Sequence, residues 1–290
     1  MNYSILKNIC LAQIKDFKTL GKVTDTRDGI FIHKESNAKV LGVAHLDTVL
    51  NSKHFYVKKH KGLEYIFNAQ LDDRLGVYTL LYTLPKMGIE FDLLLTEGEE
   101  SGQSTAQHFE GSYNWIFSFD RRGDDVVSYQ YDSPDWNRTI ESSGLKVGFG
   151  TFSDIAFMEH LGVKAMNIGT GYYGEHSKQS YACVNTWASQ VRKFSEFYRV
   201  NKDIKFPHVP EPYYPRYGKF DWGSWGEYDP LYCYLCNAKR GTQQVLNDVW
   251  LCSECFNDCD MCVTCENIVY AHEVIDGVCM DCMDEKYYQN

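Results

Sequence analysis

The chain has 290 residues, 44% of them hydrophobic and 23% charged, with a formal net charge of −10. That is room for roughly two domains of about 100–200 residues, and the composition argues against disorder. The acidic balance disfavours broad electrostatic binding to nucleic acid or an anionic membrane, and no apolar run approaches the ~18–20 residues of a spanning helix.

From Met1 to Leu20, apolar residues recur at helical spacing, broken by Lys7, Gln13, Lys15 and Asp16. The segment lacks the continuous apolar core of a signal peptide, so a reducing, cytoplasmic setting is expected. Asp28-Gly29 and Lys61-Gly62 are hairpin signals. Val40–Ala44, Phe91–Leu95, Trp115–Phe119 and Ala165–Ile168 are short apolar strands. Between them, Asp73–Leu84, Ser153–Leu161 and Asn185–Val200 carry helical spacing. The alternation predicts an α/β domain over residues 1–200, a mixed sheet sandwiched by helices. Residues 201–230 hold five of the seven prolines and eight aromatics. They are expected to form a linker lying on a domain surface, with a partner-binding strap as the alternative.

Acids and histidines follow those strands closely. His45 and Asp47 come after the first, Glu99 and Glu100 after the second, and Asp120 ends the third. His176 comes eight residues after Ile168, and Asp72 stands where a loop enters a helix. In open α/β sheets, ligands bind outside the carboxyl ends of the strands. Two histidines and three carboxylates on one rim would suit two divalent metals, imidazole favouring zinc. Each residue also has a plain structural reading. Asp72 or Asp73 could cap a helix, the run from Glu97 to Glu100 could be a solvated acidic loop, and a lone histidine is more often structural.

The segments Gly42-Val43-Ala44-His45-Leu46-Asp47, Leu71-Asp72-Asp73-Arg74-Leu75-Gly76, Glu99-Glu100-Ser101-Gly102, Phe119-Asp120 and Glu175-His176-Ser177 occur in this order. Together they resemble the motifs of the co-catalytic di-zinc exopeptidases. That clan includes the bacterial leucyl aminopeptidases and their carboxypeptidase and deacylase cousins. The resemblance covers roughly residues 1–200 and implies the clan's phosphorylase/hydrolase-like fold. It implies that Asp72 bridges two metals, that His45 and Glu100 or Asp120 complete one site each, and that His176 is the last ligand. It leaves open which metal each ligand takes. Glu99 matches the general base, and Asp47 the carboxylate that orients the first histidine. The 56 residues from Asp120 to His176 leave no room for the usual inserted dimerisation domain of the carboxypeptidases, and the 27 from His45 to Asp72 none for that of the dodecameric aminopeptidases. What remains resembles the compact aminopeptidase branch, as do Phe152-Ser153-Asp154 and Phe157. Asp120-Arg121-Arg122-Gly123 departs from the usual surroundings of that ligand; its two arginines, Arg121 first, are therefore candidates for a substrate carboxylate. Tyr172 and Tyr173 are candidates for steadying an oxyanion, with ordinary packing the plainer reading.

Nine of the eleven cysteines lie between Cys233 and Cys282. Cys233-x2-Cys236 with Cys252-x2-Cys255, and Cys262-x2-Cys265 with Cys279-x2-Cys282, read as two four-thiolate structural zinc sites in a domain over residues 231–290. A cross-braced pairing is the alternative, and Cys259 is left over. So small a segment cannot bury much core, and zinc would supply its folding energy. It holds three basic residues (Lys239, Arg240, Lys286) against ten acidic ones, which disfavours phosphate binding and leaves a protein partner or a structural role. The function expected is a zinc exopeptidase acting on peptides, most simply an aminopeptidase. The alternatives are a same-clan carboxypeptidase or N-acyl amino acid amidohydrolase, or an inactive scaffold whose zinc ribbons bind a partner.

Overall fold

The hydrophobic pattern of the central strands explains the layers. Trp115, Phe117 and Phe119 point to one side and Ile116 to the other; likewise Leu93 and Leu95 oppose Leu94. Each side is covered, so these strands are apolar throughout rather than alternating. In the computed structural model the described residues are 1–150 and 152–209, together with 233, 243–246, 249–261, 263, 268–271, 274–275 and 278–279.

The chain divides into two units, Met1–Tyr213 and Tyr214–Asn290. The first unit opens with helices α1 (Tyr3–Leu11) and α2 (Ile14–Phe17), then strands β1 (Lys22–Thr26), β2 (Gly29–Lys34) and β3 (Val40–His45). A hairpin of β4 (Tyr56–His60) and β5 (Leu63–Phe67) leads into α3 (Leu71–Tyr78), which continues through a wider π turn at Thr79–Thr83 into α4 (Leu84–Lys86). Then come β6 (Asp92–Thr96), β7 (Trp115–Arg121), β8 (Val126–Val127), α5 (Pro134–Glu141), β9 (Ala165–Gly169), β10 (Tyr172–Tyr173), β11 (Tyr181–Cys183) and the long α6 (Val184–Asn201).

The main sheet is mixed, in the order β1-β2-β6-β3-β7-β9-β8. Its centre, β6-β3-β7-β9, is parallel, and the flanking pairs are antiparallel. One face packs against α1, α3 and α6, with Trp115, Phe117 and Phe119 ringed by Phe194 and Phe197. The other carries a smaller core of Leu41, Val43, Leu94, Ile116, Ile155 and Met158. A second sheet, β10-β11-β5-β4, is antiparallel throughout. Both Gly-marked hairpins form, at Asp28-Gly29 and Lys61-Gly62.

Three readings need correction. The helix expected over Ser153–Leu161 is a 3-10 helix at Asp154–Leu161. The helix expected from Asp73 starts at Leu71 but leaves helical dihedrals at Asp72 and Asp73. It is buried all round from Leu71 to Leu80, so its sequence has no polar stripe to mark its ends. Helix α5 carried no clear signal; Ser133 caps it through the N–H of Trp136, and Pro134 opens it. The start of the expected linker belongs to the first unit: Phe206 exchanges backbone hydrogen bonds with Asn114 and Lys164, and His208 donates to the Gly162 carbonyl.

The second unit contains β12 (Gln243–Leu246) paired with β13 (Val249–Leu251), helix α7 (Ser253–Asn257), β14 (Cys259–Met261) paired with β15 (Ile268–Tyr270), and β16 (Val274–Ile275) paired with β17 (Val278–Cys279). Among its described residues the core gathers Cys233, Leu251, Cys252, Cys255 and Ile268. No described helix is long and apolar enough to cross a membrane.

Candidate metal centre

The parallel strands end together, and that places the ligand candidates. His45 closes β3 beside Thr96 at the end of β6, and Asp120 is the last residue but one of β7. Glu99 and Glu100 form a 3-10 turn just beyond β6, held between Gly98 and Gly102, both left-handed. Asp72 stands at the mouth of α3. Gly76 lets that helix approach β7 closely: a Cβ there would meet the Phe119 carbonyl oxygen at 2.6 Å. His176 lies in the loop between β10 and β11 with φ of 58°.

Two groups share Asp72. In the first, His45 Nε2 lies 3.2 Å from Asp72 Oδ1 and 3.3 Å from Asp120 Oδ1. In the second, His176 Nε2 lies 3.4 Å from Asp72 Oδ2 and 2.8 Å from Glu100 Oε2. The ligand atoms of each trio lie within 4.8 Å of one another. Ligands about 2.0–2.2 Å from a tetrahedral zinc stand about 3.3–3.6 Å apart; three of the four distances are close to that, and the fourth, 2.8 Å, is that of a direct hydrogen bond. Which acid accompanies which histidine, left open by the sequence, is thus Asp120 with His45 and Glu100 with His176. Glu99 Oε2 is 3.8 Å from His45 Nε2 and belongs to neither trio.

Asp47 supports both halves. Its backbone carbonyl accepts from His45 Nδ1 at 3.0 Å, which leaves Nε2 facing the cluster. Its carboxylate is farther from that nitrogen, at 3.5 Å, and accepts the Glu100 backbone N–H at 3.1 Å. The expected orienting role of the Asp47 carboxylate is therefore shared with its own main chain.

The electrostatics call for cations. Burial and the Asp120 charge push Glu99 up to about 9. Burial lifts Asp120 to about 7 against the pull of His45. Burial and Asp72 raise Glu100. Burial also raises Asp73 and Asp154. For Asp72 the hydrogen bonds from His176 and His45 outweigh burial and hold the carboxyl well below the usual range. His176 is raised to about 9, first by its bond to Asp72. With Asp47, seven carboxyl groups thus crowd two imidazoles, and Glu100 Oε1 is buried with no hydrogen-bond partner among the described residues. Such an excess of inward-facing acid fits two divalent metals and fits poorly with an empty structural cluster.

Of the supporting residues, Ser153 and Asp154 stand in the segment whose resemblance the sequence showed, while Asn167 did not stand out. Ser153 Oγ donates to Asp120 Oδ2 at 3.1 Å. Asn167 binds the Asp120 backbone on both sides, accepting its N–H at 2.9 Å. Asp154, wholly buried, accepts from Thr96 at 2.6 Å and from Ser104. The available signal was Asn167 itself, a polar residue inside an apolar strand. Arg121 is not placed as expected: its guanidinium is taken up by Asp125 at 2.6 and 2.8 Å and by the Phe149 carbonyl. Arg122 pairs with Glu175 at 2.7 Å. Tyr172 is buried, its hydroxyl raised well above its usual range by burial and by Asp72. Tyr173 is half-buried and stacks on Tyr181.

In the second unit, Cys233, Cys252 and Cys255 bring their sulfurs within 4.8 Å of one another. Cys236, Cys262, Cys265 and Cys282 lie outside the described residues, as does the side chain of Cys279. Cys259 opens β14, its thiol 3.5 Å from the Phe256 carbonyl.

No family model matches the chain. No curated protein matches it either. Among solved structures it is similar to aminopeptidase PepT from Bacillus cereus (11% identity over 67% of this chain and 96% of that one, TM-score 0.49). It is also similar to a tripeptidase from Staphylococcus aureus (12%, 69% and 98%, TM-score 0.49) and to a TET aminopeptidase from a marine sediment thaumarchaeote (12%, 70% and 96%, TM-score 0.49).

Proposed function

We propose that the first unit is a two-metal amide hydrolase, an aminopeptidase releasing N-terminal residues from peptides. The observation that carries this reading is the pair of ligand trios sharing Asp72, with Glu99 beside the first at 3.8 Å from His45 Nε2. His45, Asp72 and Asp120 would hold one zinc, and Asp72, Glu100 and His176 the other. Bound there, the pair would supply Lewis acidity to the scissile carbonyl and to the attacking water. Glu99 accepts the proton of that water and passes it to the leaving amine. Its carboxyl, pushed up to about 9 without cations, would ionise beside two dications, since opposite charge favours the charged form. Asp47 and Ser153 fix the orientation of His45, Glu100 and Asp120. Buried Tyr172 packs close to the cluster, and a role on the oxyanion belongs to it before half-exposed Tyr173.

The compact aminopeptidase branch is favoured because every strand between Asp120 and His176 among the described residues, β8, β9 and β10, joins one of the two sheets, with α5 and the 3-10 helix at Asp154–Leu161 as connections. The cysteine unit carries two structural zincs on this reading. Cys233 beside Cys252 and Cys255 supports sequential rather than cross-braced pairing. The acidic tail would then meet a protein partner or serve the fold alone.

The test is a panel of peptides with free and blocked N-termini, assayed beside metal analysis of the full chain. Cleavage restricted to free α-amines, with four zinc per chain, supports the proposal. Cleavage of N-blocked substrates alone removes the aminopeptidase assignment. For the tail, Cys236→Ser and Cys252→Ser should each cost the same single zinc; Cys262→Ser removing that zinc would establish cross-bracing.

A further inference from the structure

A cavity of about 530 Å3 is lined by residues that neighbour two ligand candidates along the chain, Lys178 near His176 and Ala69 near Asp72. In a chain of net charge −10 its lining is the reverse: it includes Lys53, Lys178 and His54 and, among the described residues, no carboxylate. Neither lysine has an ion-pair partner among those residues. One wall is flat and apolar, Tyr56 stacked on Phe67 at 4.7 Å and 5°.

The walls hang on the segments that carry the ligands. Lys178 stands two residues after His176. Ser52 N donates to Gln70 Oε1 at 3.1 Å, and Asn68 Nδ2 donates to the His54 carbonyl at 2.7 Å. The Lys53 loop is thereby tied to the residues leading into Asp72. Asn68 N in turn donates to the Ser180 carbonyl at 3.1 Å, joining that approach to the His176 loop. At about 3.3–3.6 Å per extended residue, Lys178 is within about 7 Å of His176 along the chain, and Asn68 within about 14 Å of Asp72. Two substrate residues beyond the scissile bond reach about 7 Å at the same rise, the bound for Lys178.

We infer that this cavity takes a substrate carboxylate, held by the ammonium groups of Lys53 and Lys178 with the adjoining chain laid on the Tyr56–Phe67 stack. The inference rests on the peptidase reading above and narrows its substrates to short or acidic peptides. An ammonium is a point charge that recognises carboxylate without fixed geometry, so the carboxylate is either the peptide's own C-terminus or an acidic side chain.

The experiment compares Leu-Gly-Gly with its C-terminal amide, and Leu-Glu-amide with Leu-Gln-amide, on the zinc-loaded full chain. Lys53→Met/Lys178→Met removes both charges and keeps the apolar stems on two exposed residues. We expect the carboxylate member of one pair to be preferred roughly five- to tenfold in kcat/KM, mainly through KM, the size of two partly solvated ion pairs. The preference should shrink in 0.5 M salt and fall to about one in the double variant. A preference in the first pair assigns the carboxylate to the C-terminus; in the second, to the side chain. Equal rates within both pairs, or a preference that survives the double substitution, would overturn the inference. If no peptide is cleaved, the aminopeptidase reading fails and calorimetric binding of the same peptides decides the cavity. Tighter binding of the carboxylates, lost in the double variant, upholds it, and equal binding overturns it.

Discussion

Asp47 accepts the backbone N–H of Glu100 at 3.1 Å while its own carbonyl accepts from His45 Nδ1 at 3.0 Å. One residue thus braces a ligand candidate on each side of Asp72. Removing groups that orient metal ligands typically weakens metal binding or activity by 10–100-fold. Asp47→Ala keeps the carbonyl and loses the carboxylate, so the expected loss of zinc affinity is about tenfold, at the low end of that range. Competition with a chromogenic chelator measures it; unchanged affinity would remove the bracing role.

The shared position of Asp72 makes a stoichiometric prediction. Asp120→Asn should weaken the zinc beside His45, and Glu100→Gln the zinc beside His176, each leaving the other ion in place. Asp72→Ala should empty both, because its two oxygens face the two histidines separately. Metal analysis after dialysis against a weak chelator reads the difference as one ion against two.

Loading the centre should release protons. His176 titrates near 9 and Asp120 near 7 without metal, so both carry protons at or below neutrality. Zinc requires them deprotonated. The metal-bound state therefore holds fewer protons, and apparent affinity rises with pH, about tenfold per unit for each proton released. Calorimetry at pH 6 and 7.5 in buffers of different ionisation heat should find at least one proton released per centre, more at the lower pH. Affinity independent of pH would contradict this.

The central fold was legible because its strands are buried on both faces and read as apolar runs, each followed by the acids and histidines it positions. Glu99, Glu100 and Asp120 could be placed on one rim from that fact alone. Their partition between the histidines could not, since it depends on side-chain directions at the ends of β3, β6 and β7. Asn167 was hidden for a similar reason, and so was the contact of Ser153, a residue whose segment did stand out: both act through Asp120, some 47 and 33 positions away, and one sequence carries no trace of such pairs. Arg121 misled because a guanidinium near a site suggests substrate, whereas Asp125, four residues on, already binds it.

The most direct test of the account is the turnover of Glu99→Gln, measured on a free-amine peptide with metal content determined on the same sample. The substitution keeps shape and removes the proton acceptor. The account predicts the full zinc content of the unaltered chain and at least about a hundredfold lower kcat, the usual contribution of a positioned acid–base group. Equal turnover at equal zinc would contradict it.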